Sequence, residues 1–480
     1  MKSRTPLLDA LREHQARKIK RYHVPGHKGN VKLLQKELGQ DILDLDLNAM
    51  SDLDDLCSPS GVLQDSQRLM AELFDCDDAY YLLNGASGGI QAMILASIDP
   101  GQKVLLPRNV HRSVLFGLIL SGAIPIFLPV EQHSDAAFLT TVQPETLKKA
   151  VDKHPDARAA LFVNPNYYGL AADLRECIQL VKERGMLVLM DEAHGTFPYL
   201  TKTREYSGIS MGADLSVVSL HKNGGSLTQT AVLLANGSAY KKSQLFESLD
   251  MLRSTSSSYL LMLSLELARK HLEDFGESSY VKLRELAGSF IARMRGEGID
   301  ILSDEEMLSQ NGICWYDNSR ILWRTKSLGI TGFEAEKILA KDFNLQPELA
   351  MIDHVLFLCG LNDTEQDFQE LELAIKGLIN KLDAGREKKI NSLLPPLPEL
   401  IVSPRDAFYT EKKESVIEKS IGKIAGEMIM VYPPGIPLIC PGEQITLEVI
   451  DYLKMLINEN AFIQGLADPD KKTIRILSYS

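Results

Sequence analysis

The run Ser219-Leu220-His221-Lys222-Asn223-Gly224-Gly225 follows a short apolar, β-type segment, Leu215 to Val218. It carries a lysine where a strand gives way to a turn, flanked by a hydroxyl, an imidazole and two glycines. Earlier in the chain the apolar run Met186 to Met190 ends in Asp191-Glu192-Ala193-His194-Gly195. A lysine amine and a carboxylate, each at the end of its own strand, meet two demands of one cofactor, pyridoxal phosphate (PLP). The amine forms a Schiff base with the aldehyde, and the carboxylate keeps the pyridine nitrogen protonated so that the ring draws electrons. Small neighbours let backbone approach the phosphate. A Ser-x-His-Lys run alone carries little, because most lysines are merely solvated. Its pairing with Asp191 carries the reading.

The elements that must position these residues are legible as a pattern. Strand candidates are Ala79–Leu83, Lys103–Pro107, Ile124–Leu128, Ala159–Asn164, Met186–Met190, Leu215–Ser219 and Ala231–Ala235. Helix-length patterns lie between several of them: Gly88–Ser97, His111–Ser121, Pro144–Lys153 and Asp173–Glu183. Such alternation predicts an α/β fold with a largely parallel sheet and helices on both faces. Ligands of open α/β sheets sit beyond the carboxyl ends of the strands. Asn84-Gly85, Asn164-Pro165, Asp191 and Ser219 all fall at those ends, which argues for one site. The Gly85–Gly89 loop opens a helix, so its N–H groups and dipole suit a phosphate, with Ser87, Gly88 and Ser219 as candidate partners. A generic glycine turn is the other reading of that loop.

Beyond Leu260 a helical stretch runs to about Gly296 with a break near Phe275-Gly276. Short strands (Gly312–Tyr316, Ile321–Arg324, His354–Leu358) and helices then predict a smaller α+β domain. Leu394-Pro395-Pro396-Leu397-Pro398 reads as a stiff linker, and the remainder as a third unit. The predicted domains are 1–275, 276–388 and 389–480.

At 480 residues, with 45% apolar and 24% charged residues, the chain has the composition of a soluble globular protein of two or three domains. The formal charge of −12 and the lack of a long basic run argue against nucleic-acid binding. Six cysteines lie scattered without a C-x-x-C pair, so a reducing compartment fits and a zinc site or disulfide framework does not. No stretch has the apolar length of a membrane span or the layout of a signal peptide, so a cytoplasmic protein is expected. His23 and His27 flank a Pro-Gly turn, but two histidines without further ligands predict no metal.

The order of motifs carries a resemblance. His23-Val24-Pro25-Gly26-His27-Lys28-Gly29, Asn84-Gly85-Ala86-Ser87-Gly88, Arg108-Asn109-Val110-His111-Arg112-Ser113, Asp191-Glu192-Ala193-His194-Gly195 and Ser219-Leu220-His221-Lys222 occur in that sequence. Tyr432 to Pro437 and Pro441-Gly442-Glu443 follow. Together they resemble the ornithine/lysine/arginine decarboxylase family of fold-type I PLP enzymes, in the compact form without an N-terminal wing domain. The likeness covers nearly the whole chain. It implies a fold-type I large PLP-binding domain with a mostly parallel sheet, a smaller α+β domain and a C-terminal domain.

The resemblance also implies roles. Lys222 carries PLP, Asp191 pairs with its ring nitrogen, and His111 stacks on its face, although His111 also opens an apolar helix. Ala193 and His194 line the cofactor, and His194 has a second reading as a residue packed against the strand end. Ser254, in Ser254-Thr255-Ser256-Ser257-Ser258-Tyr259, resembles a segment that relatives lend to a neighbouring subunit's phosphate, or is a polar helix start. Ala86 and Asn166 stand where relatives have threonine. The implied reaction is decarboxylation of arginine, lysine or ornithine in a homodimer or higher homo-oligomer, with Lys222 or His221 reprotonating the α-carbon. The product would serve polyamine supply or acid tolerance. For the substrate's distal cation the candidates are Glu443 and Glu427, and after them Asp52, Asp54 and Asp55. An aminotransferase or lyase on the same fold, with Arg405 as its carboxylate clamp, and a non-catalytic paralogue stay open.

Overall fold

The computed structural model describes residues 4–50, 53–382 and 393–479, so the predicted domain boundary at 388 falls outside the described residues. The chain divides into two compact units, Met1–Ser97 with Leu187–Ser278, and Ile98–Met186 with Ser279–Ser480.

In the first unit the strands Asp78–Leu82, Ala231–Ala235, Leu215–Val218 and Leu187–Asp191 lie side by side in that order. The last three are buried throughout, as continuous apolar runs covered on both faces should be. Leu187–Asp191 runs parallel to Leu215–Val218, with Asp191 opposite Val217. Their carboxyl ends therefore finish at one edge, which delivers Asp191 and Ser219 together. Ala231–Ala235 is antiparallel to both of its neighbours. The turn from Gly224 to Thr230 is too short for a helical crossover, so the chain can only fold back on itself. Asp78–Leu82 thus shares the direction of the strand before Lys222, and Asn84-Gly85 reaches the same edge. The helix Gly85–Ser97 follows at once. A Cβ on Gly89 would come within 2.3 Å of Leu82 Cδ1 and 3.1 Å of Val217 Cγ1, so a glycine is what lets this helix sit down on the sheet.

The second unit holds Ala159–Val163, Lys103–Pro107 and Ile124–Leu128, all parallel, in that order. It also carries an antiparallel sheet of Arg320–Arg324, His354–Leu358 and Leu349–Ala350. Its C-terminal part pairs Lys412–Val416 with Thr473–Leu477 and packs Ile439, Ile450, Leu453 and Ile476 into a core of its own.

One expectation needs correction. The helix Tyr259–Gly296 is continuous, with no break at Phe275-Gly276. One interior glycine costs about 1 kcal/mol, which good helix formers on both sides outweigh; it also gives Leu200 close access, since a Cβ there would lie 3.1 Å from Leu200 Cδ1. The proline-rich segment, expected as a stiff linker, packs within the second unit. Leu394 N–H donates to Gln132 Oε1 at 3.1 Å, and Leu394 to Pro398 line a cavity of the second unit.

Candidate active site

Lys222 sits in a single helical turn, Leu220–Asn223, that begins directly after the strand Leu215–Val218, with Ser219 as its N-cap. Its Nζ lies 2.8 Å from His194 Nε2. The His194 ring is thus in hydrogen-bond contact with the lysine. Asp191 is buried, and its Oδ1 accepts from Ala193 N–H at 3.0 Å. Burial pushes the Asp191 carboxyl up, while the Ala193 N–H and the charge of Lys222 pull it down. A buried carboxylate with one backbone donor needs a cationic N–H opposite it. His221 is half-buried with Nδ1 2.8 Å from Thr230 O, and burial lowers its proton affinity. Nδ1–H donates to that carbonyl, which leaves Nε2 as the nitrogen that can exchange a proton.

The helix entrance offers a second half of the same cluster. Gly85 has φ of 74° and open space where a Cβ would stand, and its N–H donates to Gln229 O at 2.9 Å. A Cβ on Gly88 would fall 2.0 Å from Asn84 Nδ2, which itself donates to Leu252 O at 3.0 Å. Ser87 is half-buried. The Ser219 hydroxyl is fully buried and has no hydrogen-bond partner among the described residues. A glycine-lined helix N-terminus, an orphaned hydroxyl and a buried carboxylate beside a lysine fit the phosphate, ring nitrogen and aldehyde of PLP. Ser254 is exposed, and its hydroxyl accepts from Ser256 N–H at 3.1 Å.

His111 and Asn166 lie in the second unit. His111 is the N-cap of the helix Arg112–Ser121, its Nδ1 accepting from Ser113 N–H at 3.2 Å. The Tyr432–Pro437 loop packs on it: a Cβ on Gly435 would lie 3.1 Å from His111 Cδ2. Asn166, at the place of the family threonine, accepts from Tyr168 and Leu170 N–H within its own turn and donates to the Leu139 and Thr140 carbonyls of an earlier segment.

The Orn/Lys/Arg decarboxylase major-domain family matches residues 5–323, and the matching C-terminal domain family covers 387–468. The chain belongs to this family. It is 35% identical over 479 residues to an arginine decarboxylase of Bacillus subtilis, covering 98% of each chain. An arginine decarboxylase of Bacillus anthracis is 36% identical over 482 residues, covering 98% of this chain and 97% of that one. Among solved structures, the constitutive lysine decarboxylase of E. coli superposes with a TM-score of 0.83 at 19% identity, covering 98% of this chain and 82% of that one. The fold is that of the fold-type I PLP enzymes, and the chain is an amino-acid decarboxylase of that class acting on basic amino acids. Among the described residues no helix is long and apolar enough to cross a membrane.

Within this family frame the acidic candidates are placed differently from one another. Glu443 is fully buried, with Oε2 3.1 Å from Arg108 Nη2 and accepting from Cys440 N–H at 2.7 Å. Glu427 accepts from the N–H groups of Ala467 and Arg475. Asp54 caps the turn at Ser60, Gly61 and Leu63, and Asp55 accepts from Cys57 N–H. Asp52 lies outside the described residues. Each described carboxylate of this set is thus engaged in local structure. Arg405, the clamp of the rival reading, donates to Leu120 O at 2.9 Å.

Sequence reasoning passed over Gln229 and gave Glu192 no role of its own. Gln229 adopts φ of 79° and donates to Leu83 O at 2.6 Å, which closes the turn in front of Gly85. Glu192, beside Asp191, is fully buried and accepts three hydrogen bonds. Its position after a buried strand was the available signal.

Proposed function

We propose that the chain converts L-arginine to agmatine and CO2 with PLP held in the first unit. The observation that carries the reading is the Lys222–His194 contact beside buried Asp191 on adjoining strand ends. Arginine is the choice among basic amino acids because the relatives that match over nearly full length are named arginine decarboxylases.

In this assignment Lys222 Nζ holds the cofactor aldehyde, and Asp191 keeps the ring nitrogen protonated. The Ala86, Ser87 and Gly88 N–H groups at the helix entrance, with the Ser87 and Ser219 hydroxyls, take the phosphate, while Ala193 and His194 line the ring. Ser254 reaches the phosphate of a neighbouring subunit in a homodimer. When bound, PLP supplies a conjugated ring that accepts the electron pair released as CO2 leaves. The protein's own task is to exclude water, to keep Asp191 ionised against its burial, and to return one proton to the α-carbon. Lys222 Nζ and His221 Nε2 are the two groups for that proton. His194 Nε2, 2.8 Å from Nζ, is an acceptor that holds the lysine in place.

The test is direct. Purified protein with PLP is incubated separately with L-arginine, L-lysine and L-ornithine, and CO2 and the amine formed are identified. Agmatine as the main product is the expected result. Cadaverine or putrescine as the main product would reassign the substrate, and an α-keto acid without CO2 would overturn the reaction.

A further inference from the structure

The turn Asp191–Gly195 carries three proposed cofactor residues, yet its most heavily bonded side chain is Glu192, which the reaction does not use. Glu192 is 0% exposed. Its Oε2 accepts from the Tyr199 hydroxyl and the Ser216 hydroxyl, each at 2.5 Å, and its Oε1 accepts from Gly208 N–H at 2.7 Å. Its backbone N–H donates to Val217 O at 3.0 Å, and its carbonyl accepts from Gly195 N–H at 2.7 Å.

Each side-chain bond goes to a different element. Tyr199 lies on the short helix Phe197–Leu200, Gly208 opens the helix Gly208–Met211, and Ser216 belongs to the strand Leu215–Val218. That strand ends at Ser219 and leads to Lys222. One carboxylate therefore ties the turn bearing Asp191 and His194 to the strand bearing Lys222. The fit is tight, because a Cβ on Gly208 would come 2.7 Å from Glu192 Oε2 and 2.8 Å from Met190 Cγ. Burying a carboxylate without a cation is costly, and an apolar side chain would fill the same space more cheaply.

We propose that Glu192 is a positioning residue of the cofactor site: its anionic carboxylate fixes Asp191 and His194 relative to Lys222. The inference rests on the reading that Asp191 and Lys222 hold PLP. The anion accepts all three donors at once. The neutral acid must give its own proton to a hydroxyl that was donating, which turns that bond around and releases the hydroxyl's proton from the carboxylate.

The groups facing Glu192 are Tyr199, Ser216, Gly208 N–H and the carboxylate of Asp191, with Cys76 acting on Tyr199 from behind. None is a cation. Burial pushes Glu192 up to about 7, against the pull of its three donors and with the help of Asp191. The sign follows. Between the ordinary glutamate value and about 7 the folded protein holds a proton that the unfolded chain releases. The stability from this group is present at acid pH and is lost as pH rises through about 7, where the fully accepting anion forms.

The experiment compares wild type with Glu192→Gln, Ser216→Ala and Tyr199→Phe, first without cofactor and then with PLP. In the apo-protein, hydrogen exchange at the Gly208 and Ala193 amides should quicken by about tenfold in Glu192→Gln at pH 8, roughly one lost hydrogen bond. The pH dependence of wild-type apo stability across pH 5 to 7.5 should flatten in Glu192→Gln. With PLP, kcat should fall by about tenfold or more with KM changed less than twofold, and the pH-dependent step in cofactor absorbance near 7 should vanish. Ser216→Ala, which keeps the carboxylate and removes one donor, should give an intermediate loss and carries the test should Glu192→Gln not fold. Wild-type exchange, kcat and pH profile in both Glu192→Gln and Ser216→Ala would overturn the proposal. Were wild type to release no CO2, the functional reading would fall, and the apo exchange would still decide whether Glu192 fixes the turn.

Discussion

Lys222 and Asp191 differ in what their removal should do, because one makes a covalent bond and the other supplies a charge. Lys222→Ala should leave no covalently retained cofactor. Borohydride reduction followed by peptide mapping should find the label on Lys222 in wild type, and a label on another lysine would refute the assignment. Asp191→Asn keeps nearly the same volume while removing the charge opposite the ring nitrogen. PLP should still bind, but turnover should drop by several orders of magnitude, each ~1.4 kcal/mol being tenfold in rate. Near-normal turnover would sink that role. Glu443 makes a different prediction from the one its sequence position suggests. It is buried against Arg108, and burial pushes its carboxyl up while Arg108 pulls it down. Removing one partner of a buried pair costs about 3–5 kcal/mol, so Glu443→Ala should appear mainly as a fall in urea midpoint. A raised KM for arginine at unchanged stability would restore it as a substrate ligand.

At the scale of elements, the helix entrance at Gly85 and the strand end at Val218 do most of the positioning. Gly88→Ala would press a methyl to 2.0 Å from Asn84 Nδ2 and dislodge the bond from that amide to Leu252 O. The cost should be about 1–3 kcal/mol in denaturant titration, with weaker retention of PLP measured by absorbance on dialysis. Wild-type retention in this variant would remove the loop from the phosphate site. The strands themselves were legible because buried runs such as Leu187–Asp191 and Ala231–Ala235 are unbroken apolar stretches. The reversed direction of Ala231–Ala235 was not, since pairing direction is set by turn length and neighbours rather than by the strand's own residues. The uninterrupted helix at Gly276 was missed for a related reason: a single glycine is a weak local signal that packing against Leu200 overrides.

At the scale of the whole molecule the expectation is assembly. Tyr22, Leu33 and Met251 are 83%, 66% and 75% exposed, large apolar side chains that this chain alone leaves uncovered. Closed two-fold dimers are the commonest soluble oligomers, and the Ser254–Tyr259 segment adjoins Met251. Sedimentation at assay concentration should therefore show at least a dimer. A fully active monomer would overturn both the dimer and the proposed reach of Ser254 into a neighbouring site.

The sequence by itself determined the family and the class of chemistry, through the order of its motifs. A lysine after one apolar run, an aspartate after another and glycines at a helix entrance are the residue types a PLP site requires, and their order follows the strands. Only the tertiary structure decided what each polar group is paired with. It gave His194 to Lys222, Glu443 to Arg108 and Glu192 to Tyr199, Ser216 and Gly208. The physical reason is that a side chain's role follows from the partner that satisfies it once water is gone, and partners 7 to 335 residues away, from Tyr199 to Glu192 and from Arg108 to Glu443, leave no mark in local sequence.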